Sequence, residues 1–88
     1  MEAQRKKIDA LFSRYDRENS PGCALAVIDG GQVAYARGYG MADIERGKGI
    51  TPQSAFYIAS VSKQFTCACM VLLAQRGAIS LDDDIRRY

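Results

Sequence analysis

A helix that is apolar on nearly every side cannot lie on a surface; it has to be surrounded. The segment from Ser60 to Gly77 reads as such a helix. Phe65, Ala68, Cys69, Met70, Val71, Leu72 and Leu73 leave it almost no polar face, and Gly77 is the residue type that commonly follows a helix end. Covering this element is the strongest demand the sequence makes. With 88 residues the chain forms one domain at most, in a size range where a single core is only marginally sufficient.

The remaining residues offer few partners. Ile8, Leu11, Phe12 and Tyr15 recur at the spacing of one helical face, which predicts an amphipathic helix over residues 3–19. The turn formers of "ENSPG" stop it. "CALAVI" is a short continuous apolar run of strand type, "DGG" a tight turn, and "QVAYARGYG" an alternating return strand, so residues 22–40 read as a hairpin. Val33, Tyr35, Arg37 and Tyr39 share one face of that return strand; the small residues Ala34, Ala36 and Gly38 share the other, where a helix is expected to pack. Residues 41–59 read as a loop, and "ISLDDDI" begins a further element over residues 80–88, with Asp82 to Asp84 favouring a helix N-terminus. The fold class is therefore α/β (α+β), as one incomplete domain. Two strands make a marginal sheet, and one helix and one hairpin do not enclose the apolar helix. The expectation is an N-terminal part of a larger domain, or a chain that associates with others.

Composition narrows the chemistry. The chain is 48% hydrophobic and 25% charged, and its formal charge of +2 comes from interspersed signs. No basic stripe points to nucleic acid. Histidine is absent, which removes Ser-His-Asp triads, Cys-His dyads and His-based metal sites. Cys23, Cys67 and Cys69 are odd in number and show no framework spacing, so they read as small buried hydrophobes in a reducing compartment. Tyr35, Tyr39 and Tyr57 read as packing residues. No apolar run is long enough to span a membrane, and "MEAQRKKIDA" carries no secretory signal. The expected compartment is cytoplasmic as written, or periplasmic or extracellular if the N-terminus has been trimmed.

Any general base must then be Lys, Tyr, Asp or Glu, and the head of the apolar helix holds a lysine. Ser60 and Lys63 are three apart, a spacing that brings side chains together on one helical face. A serine needs an adjacent base to act in acyl transfer, and a lysine serves when desolvation and nearby charge lower its pKa. The apolar helix is a source of desolvation, and its N-terminal N–H groups can stabilise an oxyanion. Ser62 is adjacent to Lys63 and faces elsewhere. The plainer alternative stays open beside this reading: Ser60 as a helix cap and Lys63 as a solvated surface residue.

Ser60 and Lys63 follow "TPQS" and "FYIA", and their helix closes on "RGAISLDD"; upstream runs "PGCALAVIDGGQVAYARGYGMAD". This ordered string resembles the serine β-lactamase and penicillin-binding-protein superfamily, in the branch of class C β-lactamases, D-alanyl-D-alanine carboxypeptidases and related esterases. The resemblance runs from about Ile8 to Tyr88 and implies the N-terminal portion of that fold. It implies Ser60 as acyl-accepting nucleophile, Lys63 as its proton-transfer partner, and the Ser60 N–H as half of the oxyanion hole. It implies no metal or organic cofactor, and a small-molecule β-lactam, peptide or ester substrate. The family's Tyr-x-Asn (or Ser-x-Asn) element and Lys-Thr-Gly strand do not occur in these residues; Asn19, the one asparagine, precedes the nucleophile. The expectation is a serine hydrolase when complete, with residues 1–88 alone inactive or nearly so. The alternatives are a ligand-binding module of the same fold without turnover, and a small structural protein in which the Ser-x-x-Lys spacing is accidental.

Overall fold

The amphipathic N-terminal stretch forms a helix, α1 (Glu2–Phe12), in the computed structural model, which describes residues 1–88. It tightens into a 3₁₀ turn over Ser13–Tyr15 and ends there, short of the expected residue 19. Asp16 is drawn out of the helical path, because its carboxylate accepts hydrogen bonds from the Gly40 N–H at 3.2 Å and from Arg37 at 2.9 Å. The chain divides into two units, Met1–Ala55 and Phe56–Tyr88.

In the first unit β1 (Cys23–Asp29) and β2 (Gln32–Tyr39) form an antiparallel hairpin, with Cys23 opposite Tyr39 and Asp29 opposite Gln32. Gly30 and Gly31 take φ of +56° and +76°, the two left-handed positions of the turn that suits a twisted hairpin. The register shifts after Val27: Val27 pairs with Tyr35 and Ile28 with Val33, so Ala34 is left out as a bulge. A second antiparallel pair, β3 (Met41–Asp43) and β4 (Lys48–Gly49), lies in the stretch expected to be loop. Its turn is closed by the Asp43 carboxylate accepting from the Arg46 N–H, and by the Gly47 N–H donating to the Ile44 carbonyl.

α1 lies on the face of β2 opposite to the one expected. Asp9, on its inner side, accepts hydrogen bonds from the Tyr35 hydroxyl at 2.5 Å and the Tyr39 hydroxyl at 2.7 Å. It also pairs with Arg37 at 2.7 Å. Phe12 stacks on Tyr39 with ring centres 5.1 Å apart, and the Arg37 guanidinium lies 4.8 Å from the centre of the same ring. Tyr39 is accordingly 1% exposed and forms the core with Ile50, at 9%. The helix is rotated relative to the expected stripe, and Leu11 is left 75% exposed. The polar groups decide this orientation, because two phenols and a guanidinium on one strand face need an acceptor and Asp9 supplies it. The small-residue face receives the backbone of Ile50 at Gly38.

Asp9 makes this docking acid-sensitive. Hydrogen bonds from Tyr35 and Tyr39, then the charge of Arg37, hold its carboxyl below the ordinary aspartate range. A carboxyl that is more acidic when folded contributes stability that is fully present above its unfolded pKa, about 3.9. That contribution is lost as pH falls through the lower folded value. Asp9→Asn is therefore expected to lower the thermal midpoint at neutral pH and to flatten its decline below about pH 4. Melting curves of both proteins from neutral to acid pH check this; parallel curves would exclude Asp9 as the acid-sensitive latch.

In the second unit a 3₁₀ turn over Ala59–Val61 runs directly into α2 (Ser62–Gln75). The helix closes through the Gly77 N–H to the Ala74 carbonyl and the Ala78 N–H to the Leu73 carbonyl. α2 is not a surface helix by composition, yet Phe65 is 60% exposed and Met70, Val71, Leu72 and Leu73 are exposed with it. Cys67 and Cys69 share this exposure and Cys23 is half-buried, all three as free thiols. The expectation of three buried cysteines is thus corrected: the two helical thiols lie on the apolar helix that the rest of the chain was expected not to enclose. Tyr57, expected to pack, is 97% exposed. Beyond α2 the acidic run forms turns: Asp84 caps the 3₁₀ turn Ile85–Arg87 by accepting from the Arg86 N–H, and Asp83 accepts from the Ser80 N–H and the Tyr88 hydroxyl. No helix is long and apolar enough to cross a membrane.

The mixed α/β class expected from the sequence is the one observed: two helices and two small antiparallel sheets.

Candidate active site

The two chemistry-bearing residues meet at the head of α2. Lys63 Nζ donates to Ser60 Oγ at 3.1 Å. Ser60 is the central residue of the 3₁₀ turn and Lys63 the second residue of α2, so their three-residue separation spans the join between two helical geometries. It still brings both side chains to one side, because 3₁₀ and α turns each return to a face after three to four residues.

Ser60 does not cap the helix. Neither the 3₁₀ turn nor α2 receives a side-chain hydrogen bond at its N-terminus, and the Ser60 hydroxyl instead takes the lysine. Ser62 is the first residue of α2. Gln64 donates from its side-chain amide to the Val61 carbonyl at 3.2 Å and braces the turn behind the pair.

Ser60 and Lys63 are both exposed. The desolvation expected from the apolar helix is therefore absent at the pair, whose amine is in water. The backbone N–H of Ser60 belongs to the first turn of the helical run, where N–H groups have no partner inside the helix. A hydroxyl, an amine and a backbone N–H at a helix head thus lie within four residues.

Ala59, immediately before Ser60, has φ of +48° and is the only non-glycine residue in the left-handed region. That conformation costs an L-residue on the order of 1–2 kcal/mol. Alanine carries no sign of it, unlike the glycines and asparagines that usually mark such positions.

The site and fold together define a mixed α/β chain with a serine–lysine pair at the head of an apolar helix. The Beta-lactamase family matches residues 8–88, and the chain belongs to that family, which is hydrolase-like in type. Protein flp of Staphylococcus aureus (strain N315) is 32% identical over 85 residues, 96% of this chain but 17% of that protein. Protein flp of strain MRSA252 is 28% identical over the same length. A D-aminopeptidase of Brucella anthropi is 45% identical over 69 residues, 77% of this chain and 13% of that protein. The chain therefore spans between 13% and 17% of the length of these curated relatives. No solved structure matches it.

Proposed function

We propose that this chain carries the nucleophile of a serine hydrolase that works through an acyl-enzyme on Ser60. The observation that carries the reading is the 3.1 Å approach of Lys63 Nζ to Ser60 Oγ at a helix head. Lys63, in its neutral form, takes the hydroxyl proton as Oγ attacks a carbonyl carbon. The tetrahedral oxyanion is met by the Ser60 N–H. The C–N or C–O bond to the leaving group then breaks, the leaving group takes up the proton, and water releases the acyl group from Ser60. The likeness to a D-aminopeptidase supports peptide amides as one substrate class, beside β-lactams and esters.

The working protein is proposed to be longer than these 88 residues, or to include an associating chain. Two observations support this: the exposed apolar residues of α2 and the small share of the relatives that the chain spans. The missing part would enclose α2, take Lys63 out of water and complete the oxyanion hole.

The test is intact-mass analysis of the full-length protein after exposure to a fluorescent penicillin and to p-nitrophenyl acetate. An adduct on the peptide containing Ser60, absent in Ser60→Ala, is the expected result. An adduct that persists in Ser60→Ala, or none with either probe, would reject the reading. Residues 1–88 alone are expected to label at most in traces.

A further inference from the structure

We infer that the outer face of α1 docks on an anionic lipid bilayer. Acids and bases are interspersed along the N-terminal stretch, but the fold separates them. Asp9 is turned inward to Tyr35, Tyr39 and Arg37, and Asp16 is drawn to Arg37 and the Gly40 N–H. Glu2 stands two helical turns before Asp9, in the same row. The opposite side presents Ala3, Lys6, Lys7, Ala10 and Leu11, continued by Arg14 in the 3₁₀ turn, all exposed and none acidic. The five ion pairs of the chain all involve other residues. Arg14 engages only Tyr15, donating to its hydroxyl at 2.7 Å with the guanidinium 4.9 Å from the ring centre.

Three unpaired cations suit this face to water or to an anion and not to a protein core, where charges are almost never fully buried without partners. Two features favour a bilayer over a soluble polyanion or an acidic protein. Leu11 stands among the cations and is 75% exposed. In that position it can enter the acyl boundary of a membrane while the long basic side chains stay with the headgroups. The face is also the convex side of a single helix, a shape to which a fluid bilayer conforms. The rotation that turns Asp9 inward is what brings Leu11 outward, so one packing decision makes both the charge separation and the apolar contact. Each Lys or Arg near an anionic membrane surface raises affinity about fivefold. The face is therefore a reversible contact and not an anchor.

The experiment is co-sedimentation of the full-length protein with vesicles of phosphatidylcholine alone, and with vesicles containing about one-third phosphatidylglycerol. Stronger binding to the anionic vesicles is expected. It should fall as salt rises from about 0.1 M to about 1 M, because the screening length shrinks from about 10 Å to about 3 Å. Lys6→Gln, Lys7→Gln and Arg14→Gln together are expected to weaken binding on the order of 100-fold. Leu11→Ser is expected to weaken it about fivefold or more, with the thermal midpoint unchanged at so exposed a position. The control removes as many exposed cations elsewhere, Arg46→Gln, Lys48→Gln and Arg76→Gln, and is expected to keep binding within about threefold. Equal binding to both kinds of vesicle, or none to the anionic ones, would overturn the inference. So would a control as weak as the α1 variant, since net charge and not this face would then govern binding. Binding that Leu11→Ser leaves unchanged would describe a site for any polyanion and remove the bilayer assignment. If the triple α1 variant fails to fold, Lys7→Gln alone takes its place, with a loss of about fivefold expected and no loss overturning the inference.

Discussion

Lys63→Met in the full-length protein is expected to slow acylation of Ser60 by roughly 10²–10⁴-fold, the range ascribed to a positioned general base. Methionine keeps an unbranched apolar stem and removes the amine that stands 3.1 Å from Ser60 Oγ, so packing along α2 is little disturbed. Charge alone is not the argument. Lys63→Arg preserves a cation but cannot accept a proton near neutral pH, because a guanidinium stays protonated. It is expected to fail about as badly as Met. Stopped-flow labelling of the three proteins with one probe decides it. If Arg rescues acylation, Lys63 acts only as an electrostatic partner; if Met is as fast as the parent, the pair is a surface contact and the hydrolase reading loses its base.

The pair itself was legible because three-residue spacing on a helix is nearly independent of everything else in the chain. The hairpin was legible for a similar reason: an apolar run, a double-glycine turn and an alternating return segment are local signals. Which face of β2 receives α1 was not. Periodicity placed Leu11 in the stripe, but the rotation of the helix is set by Asp9, whose value as an acceptor appears only once Tyr35, Arg37 and Tyr39 are brought opposite it. An aspartate in a helix reads as solvent-facing until its partners are known. The Ala34 bulge escaped for the same reason, since it belongs to a pairing register and not to a residue type. Ala59 is the extreme case: nothing in an alanine announces a left-handed backbone. The exposure of Cys67 and Cys69 follows from an apolar helix for which these residues were expected to supply too few partners, while its thiols were still read as buried.

Gly38→Ala is expected to destabilise the protein by about 3 kcal/mol or more, the range of changes that force well-packed groups apart. The small-residue face of β2 was expected to admit a helix; what approaches it is bare backbone. A methyl group at residue 38 would overlap the carbonyl of Ile50 and come within 2.8 Å of the Thr51 nitrogen. No flexible side chain is available to give way. Ile50 is itself held, because its N–H donates to the Gly40 carbonyl at 2.9 Å and its side chain is one of the two core residues. Relief therefore requires moving the 48–51 segment off the hairpin and opening the core around Tyr39. Gly49→Ala is the control: a methyl there would find its nearest neighbour, the Gly40 carbonyl oxygen, at 3.9 Å, so a change within about 0.5 kcal/mol is expected. Denaturant melts of the two variants separate the explanations. If both lose stability alike, the cause is the general cost of changing a glycine in a strand region, and the close approach of Ile50 to Gly38 is not what holds β2 to the rest of its unit.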